Sequence, residues 1–219
     1  MLPGFAPAVP AVGVRRLWLG AAASADAGST ISFGNFTVPA GGGLLVALLT
    51  CHGADSCTIP SVTIGGAAAT LHATHGASGT RKAAIASRVV AAGATAVSVD
   101  LSGANGSSPR SFCGCWLLTG YRSATPAFAQ YAYNGTTNLT IGVTHDIPLR
   151  AALLYQVNEI SSSDPSWTKA TADGNITGSL GHRSHWASRV GAGAAAGHVE
   201  TATYASGAAH LLMNAAGWV

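Results

Sequence analysis

The four residues ASRV occur twice, at 86–89 within AAIASRVVAAGATAVSVDLSG and at 187–190 within SHWASRVGAGAAAGHVETATYASG. The first copy fits either a helix or a strand, because alanine favours helices and the apolar spacing suits both. In the second copy Gly191 and Gly193 follow directly, where they would weaken a helix. A strand is compatible with both copies, so we predict a strand for each. The residues that then share one face are Ile85, Ser87 and Val89 in the first copy and Trp186, Ser188 and Val190 in the second.

Further matches follow in the same order in both halves, roughly a hundred residues apart. TISFGNFTVPAGGGLLVALLT (30–50) resembles NLTIGVTHDIPLRAALLYQVN (138–158), and FCGCWLLTGY (112–121) resembles HLLMNAAGW (210–218). SVDLSG is echoed by TATYASG. Matches in order and in register favour an internal duplication over chance.

Short apolar and β-branched runs alternate with Gly, Pro, Asn and Ser along the whole chain, which is typical of strands joined by tight turns. Each half holds about seven short strands, the size and rhythm of an immunoglobulin-like β-sandwich. We therefore predict an all-β fold with an extended N-terminal arm at 1–13 and two tandem, duplicated β-sandwich units at 14–124 and 125–219. The units are either separate or fused into one pseudo-symmetric body.

Several local structures follow from the same pattern. Residues 41–43 are a glycine triplet and predict a turn. SVTIGG (61–66) and AATLHATH (68–75) are predicted to form a hairpin closed at Gly65 and Gly66, which suit the positive φ of a primed turn.

The segment RRLWLGAAASADA is similar to a secretory signal. We interpret its first part as a strand, because a Pro-rich lead precedes the arginines and the apolar run is short.

The composition excludes several classes of protein. Charged residues make up 9% of the 219 residues and the net charge is +3, whereas an average soluble domain has about 25% charged residues. Disorder is excluded by the high apolar content, and the sparse cations give no support to nucleic-acid binding. No apolar run reaches the length of a membrane span. A small, neutral surface suits packing against other proteins.

Cys113 and Cys115 alternate along one predicted strand and should point into the same layer. Cys51 and Cys57 flank a short loop. We expect all four to be buried, reduced residues of a cytosolically folded protein, with a Cys51–Cys57 disulfide as the alternative. A zinc site formed by Cys51, His52 and Cys57 is a remote third reading.

Histidines and acids give no clear catalytic pattern. In a strand the two histidines of His182-x-x-His185 face opposite sides, and so do His72 and His75. The acids number 8 in all, and Asp26, Asp55, Asp164 and Asp173 lie in evident turns. The chain also lacks the G-x-S-x-G pattern of a nucleophile elbow. We expect no catalytic centre, no cofactor and no metal site.

Three aromatic residues, Tyr131, Tyr133 and Trp167, are candidates for a sugar-stacking platform, although packing within the sandwich also explains them. An enzyme would need a cleft with perturbed titrating groups.

The chain resembles a loosely defined group of virion structural proteins of tailed bacteriophages. The likeness lies in ISFGNFTVPAGGGLLVALLT (31–50), SVTIGGAAATLHA (61–73) and AAGATAVSVDLSG (91–103). It implies a non-enzymatic virion protein that is assembled in the host cytoplasm: a capsid decoration or cement protein, a head fibre or a tail-associated domain. The implied partners are the major capsid protein or other virion proteins, and not nucleic acid or membrane. A homo-oligomer is expected, and a trimer would fit three-fold positions of a shell.

The arm MLPGFAPAVP cannot form regular structure, because its prolines lack backbone donors. We expect it to lie over an adjacent subunit, with partner-binding residues Leu2, Pro3, Phe5, Pro7, Val9 and Pro10. The alternative function is a tail-associated or host-surface carbohydrate-binding module.

Overall fold

The computed structural model describes residues 13–24, 28–52, 57–75, 81–102, 111–137, 139–160, 163–178, 182–191, 193–205 and 209–219. Every regular element within these ranges is a β-strand, so the predicted all-β class is confirmed. The described part of the chain contains no helix long and apolar enough to cross a membrane.

The strands of the first unit fall into two antiparallel sheets. An inner sheet has the order β1-β9-β3-β7-β6 and an outer sheet the order β2-β8-β4-β5. Their bounds are β1 Arg15–Ser24, β2 Thr30–Val38, β3 Gly43–His52, β4 Thr58–Ile64, β5 Ala67–Ala68, β6 Thr70–His75, β7 Arg81–Val90, β8 Gly93–Ser102 and β9 Ser111–Thr119.

The second unit repeats this arrangement. Its inner sheet has the order β10-β17-β12-β15-β14 and its outer sheet the order β11-β16-β13. The bounds are β10 Phe128–Thr137, β11 Thr140–Ile147, β12 Ala152–Ile160, β13 Ser166–Trp167, β14 Thr171–Thr177, β15 His182–Val190, β16 Ala195–Thr203 and β17 Ala209–Trp218.

The two strand orders correspond position by position, with β5 as the one strand of the first unit that lacks a counterpart among the described strands. The ASRV copies occupy the ends of β7 and β15 and show the same burial, from two buried residues to an exposed valine. This correspondence is what a duplication would produce. The duplication itself and the immunoglobulin-like detail stay predictions.

Each sandwich buries the residues that the sequence alternation marks. In β2, Ile31, Phe33, Phe36 and Val38 point into the first core, and Gly34, at φ 75°, lies where the strand register shifts. The second core is built in the same way from β11, β12, β16 and β17.

The predicted turns are present, with one change. Gly65 and Gly66 have φ of 62° and 74° and close a hairpin, as expected. However, its second strand is only Ala67–Ala68, since Thr70–His75 crosses to the inner sheet and pairs with β7. At the glycine triplet, a Cβ on Gly42 would lie 2.3 Å from the carbonyl oxygen of Val90. Glycine is required there.

The two inner sheets pack face to face and form a third core between the units, which we call the seam. Edge strand β1 contacts β14, and the corresponding pair β10 and β6 also touch. Contacts between corresponding edge strands in this crossed arrangement are what a two-fold relation between the units would produce. The molecule is thus a four-layered stack: outer, inner, inner, outer.

Candidate functional site

At the seam, Ser188 of the second ASRV copy bonds to the first unit, whereas Ser87 of the first copy bonds within its own unit. Ser188 donates to Asp173 and accepts from Arg16 Nε at 2.6 Å. In the first unit, Ser87 Oγ lies 2.7 Å from His72 Nε2. His72 and Asp173 occupy corresponding bulges, where the registers of β6 and β14 shift. Each ASRV serine therefore holds the bulge residue of its own edge strand.

Each bulge residue also meets a tryptophan of the other unit. Trp116 donates its indole N–H to Asp173 at 3.0 Å, and the ring of Trp218 stands edge-on to His72. Trp18 adds ring contacts to Trp116 at 4.7 Å and to Trp186 at 5.8 Å. The expectation that Asp173 lies in a turn is wrong: it is a strand residue whose bulge aims it at the seam.

Tyr131 and Tyr133 lie on one face of edge strand β10 and are 44% and 36% exposed. Between them sits His75, whose ring centroid is 4.5 Å from that of Tyr131 and 5.5 Å from that of Tyr133. His75 is buried, and neither of its ring nitrogens has a hydrogen-bond partner among the described residues. Burial lowers the pKa of His75, and nearby Lys82 lowers it further.

Trp167, the third predicted stacking residue, is placed elsewhere. It packs against the second core, with its ring centroid 6.2 Å from that of Tyr155. It lines a cavity of about 170 Å³ with Asp164, Asn175 and His185 among its walls. Asp164 accepts from Asn175 Nδ2 at 3.2 Å.

A buried polar network lies inside the second core. The carboxylate of Glu200 is fully buried and accepts from the backbone N–H of Lys169 at 2.9 Å and of Ala170 at 3.1 Å. Its other oxygen accepts from His198 Nε2 at 3.2 Å, and Lys169 Nζ lies 3.5 Å from His198 Nδ1. The carboxylate therefore fixes the ring orientation of His198.

His145 extends this network toward Tyr155. Its Nδ1 donates to the carbonyl oxygen of Asp146 at 3.1 Å, which leaves Nε2 to accept from the Tyr155 hydroxyl at 3.0 Å. The ring stacks on Phe128 at 4.1 Å. Burial lowers the pKa of His145 and raises that of Tyr155. These groups are chemically capable of proton transfer, but they do not line the cavity beside Trp167.

The histidine pairs differ from one another. His182 faces His52 across the seam, whereas His185 faces Tyr204 in the second core. This confirms the opposite orientation that the strand spacing predicts. The same expectation for His72 and His75 is wrong, because the bulge at His72 turns both rings toward the second unit. Within the described ranges no three His, Cys, Asp or Glu residues are grouped to hold a metal ion.

All four cysteines are free and buried in the first core. Cys113 and Cys115 point the same way, with their sulfur atoms 3.7 Å apart. The Cys51–Cys57 disulfide is absent. Burial raises the pKa of the Cys51 thiol to about 12, so this thiol stays protonated and unreactive at neutral pH.

The predicted partner-binding residues Leu2, Pro3, Phe5, Pro7, Val9 and Pro10 lie outside the described residues, as do Asp26 and Asp55.

Comparison with models of protein families, with curated proteins and with solved structures finds no match to this chain.

Proposed function

We propose that this chain is a non-enzymatic structural protein of a tailed-phage particle that binds the capsid shell as a decoration or cement protein. The observation that supports this most is the outward face of the two outer sheets. Their exposed strand positions carry small neutral side chains such as Thr37, Ala94, Ala96, Thr144 and Thr203. Such faces place few charges between the protein and a neighbour, so little desolvation opposes contact.

The interior is consistent with a rigid building block. Three apolar cores run through four layers, and the buried polar groups of the seam, Gln156, Ser184 and Asn214, are hydrogen-bonded to one another. Asn214 also donates to the carbonyl oxygen of Leu49 at 3.3 Å, across the seam. These bonds fix one alignment of the two units, because any slide would leave buried polar groups unpaired.

The test is removal of the predicted arm. A variant that lacks residues 1–12 is expected to keep the circular dichroism and thermal unfolding of the full chain but to lose binding to particles, measured by co-sedimentation. A full-length Leu2→Ser/Phe5→Ser/Val9→Ser variant separates the loss of apolar anchors from the loss of chain length. Unchanged occupancy of both variants on particles would show that the arm does not mediate binding.

A second candidate function, carbohydrate binding, is favoured by the exposure of Tyr131 and Tyr133 on one face of β10. Aromatic rings on a common face offer sugar rings an apolar stacking surface. Glycan-array binding that is lost in Tyr131→Ala/Tyr133→Ala but kept in Trp167→Ala would support it.

A further inference from the structure

The strand registers bring the beginnings of β3 and β12 to one end of the molecule. Arg15 in β1 pairs with Thr119, next to Leu118, the partner of Leu44 in β3. Gly13 lies beside the turn that precedes β12, because a Cβ on Gly13 would be 3.2 Å from Cβ of Arg150. We call this the strand-start end.

Arginines concentrate at the strand-start end. Arg15, Arg122 and Arg150 are exposed there, and Arg16, Arg88 and Arg189 are half-buried. Two carboxylates accompany these six in the described part of this end: the exposed Asp146, and the half-buried Asp173, which shares Ser188 with Arg16. The described ion pairs include neither Arg15 nor Arg122.

The opposite end has a different balance. Arg81 and Lys82 are buried there, and Arg183 lies 3.5 Å from the exposed Asp164. Asp100 adds a half-buried carboxylate that accepts from Thr30 and Ser61. Among the described residues, the excess of cations over carboxylates is therefore larger at the strand-start end than at the opposite end.

Exposed apolar side chains share that end with the arginines. Val89 and Val190, the last residues of the two ASRV copies, are 58% and 46% exposed. Leu149 is 60% exposed in the turn before β12, and Leu17 is 50% exposed beside a groove of about 240 Å³. Apolar side chains among cations are typical of surfaces that other proteins cover.

We propose that the strand-start end docks onto an acidic surface of another protein, with Val89, Leu149 and Val190 as apolar contacts and Arg15, Arg122 and Arg150 as the charged rim. This inference rests on the proposed particle function and names the face and the chemistry of its partner. A protein fits better than a nucleic acid, because the cations are few and interleaved with apolar side chains. All six are arginine, which interfaces enrich, while lysine is depleted there.

The test compares three full-length variants with the unmodified protein. Arg15→Gln/Arg122→Gln removes two charges from the rim, and Leu149→Ser/Val190→Ser removes two apolar contacts. The matched control, Thr74→Glu/Thr177→Glu, changes the net charge by the same amount at exposed positions of the edge strands β6 and β14, away from the strand-start end. Binding is measured on purified particles, on immobilised poly-L-glutamate and on double-stranded DNA, across a salt series.

The arginine variant is expected to bind both particles and polyglutamate about tenfold more weakly at low salt, because two charges that attract the acidic partner are removed. The apolar variant should bind particles more weakly at every salt concentration, and the control should bind like the unmodified protein. Absence of the unmodified protein from particles would refute the particle function alone. Equal polyglutamate binding by the arginine variant and the unmodified protein, or tighter binding to DNA than to polyglutamate, overturns the inference whatever the particles show.

Discussion

The first and second cores are built on the same strand order but are filled with different chemistry. Register pairs Phe36 with Thr95 in the first unit and His145 with His198 in the second. The next inward position of each outer sheet holds Val97 in the first unit and Glu200 in the second. One layer of the sandwich is therefore apolar in one unit and a hydrogen-bonded network in the other.

The comparison shows that strand order constrains where a side chain points more than it constrains its chemistry. A buried carboxylate is tolerated in the second unit because two backbone N–H groups and an imidazole satisfy it. Replacing all members of such a network with apolar residues often leaves stability unchanged. Removing one member alone destabilises the protein, because the others lose their hydrogen-bond partners.

The largest effect is expected from Glu200→Val, which installs the residue of the first unit alone. His198 and two backbone N–H groups lose their acceptor, and the free energy of unfolding should fall by about 3–5 kcal/mol. The triple variant His145→Phe/His198→Thr/Glu200→Val installs the side chains of the first unit and relieves the unpaired His198. It should still be destabilised, because the two backbone N–H groups and the Tyr155 hydroxyl then lack an acceptor. Urea unfolding measures both. If the free energy of unfolding of Glu200→Val lies within about 1 kcal/mol of that of the unmodified protein, the network does not stabilise the fold.

The inner sheets differ in the same way at the seam. Gly114 and Asn214 occupy corresponding positions of β9 and β17, opposite Leu48 and Gln156. A Cβ on Gly114 would lie 2.3 Å from the indole nitrogen of Trp186. Gly114→Ala should destabilise the protein by about 1–3 kcal/mol through overpacking. Gly193, with open space around it, is the control, and equal melting temperatures for both alanine variants would contradict this account of the seam.

Acid should weaken the protein. Burial lowers the pKa of His72, His75 and His145 in the folded state below the ordinary value of 6.5. Below that value the unfolded chain binds protons that the folded protein does not, so stability is full above about pH 6.5 and falls as the pH drops. Each histidine contributes at most about 1.4 kcal/mol per pH unit. His145→Phe should flatten the urea-unfolding profile between pH 7 and 5; an unchanged profile would exclude His145 as a source.

The smallest expected effect is the difference in stability between alanine substitutions of the two ASRV serines. Ser188→Ala leaves Arg16 and Asp173 without their shared partner and should cost about 1–2 kcal/mol, because hydrogen bonds to charged groups are the stronger ones. Ser87→Ala removes only the neutral contact to His72 and should cost about 0.5–1 kcal/mol. If denaturant unfolding gives the reverse order, the hydrogen bonds of Ser188 to charged groups are not the stronger ones.

The sequence was sufficient for whatever depends on local periodicity. The alternation of Ile31, Phe33, Phe36 and Val38, and the shared faces of the ASRV copies, follow from the two-residue period of a strand. The confirmed strand at β7 needed the second copy to exclude a helix.

Local periodicity does not predict which residues pair when they are distant along the chain. His145, His198 and Glu200 meet only through the register of β11 and β16, and no local pattern marks them. The bulges at His72 and Asp173 reverse the direction in which a side chain points, which regular alternation does not indicate. Asp173 was therefore mistaken for a turn residue.

Quantitative mass spectrometry of purified particles tests the central claim most directly. The proposed decoration role expects this chain at a copy number in the hundreds, in fixed ratio to the major shell protein. A handful of copies would move it to the tail. Its complete absence from particles, in a host that expresses it, would contradict the proposed function.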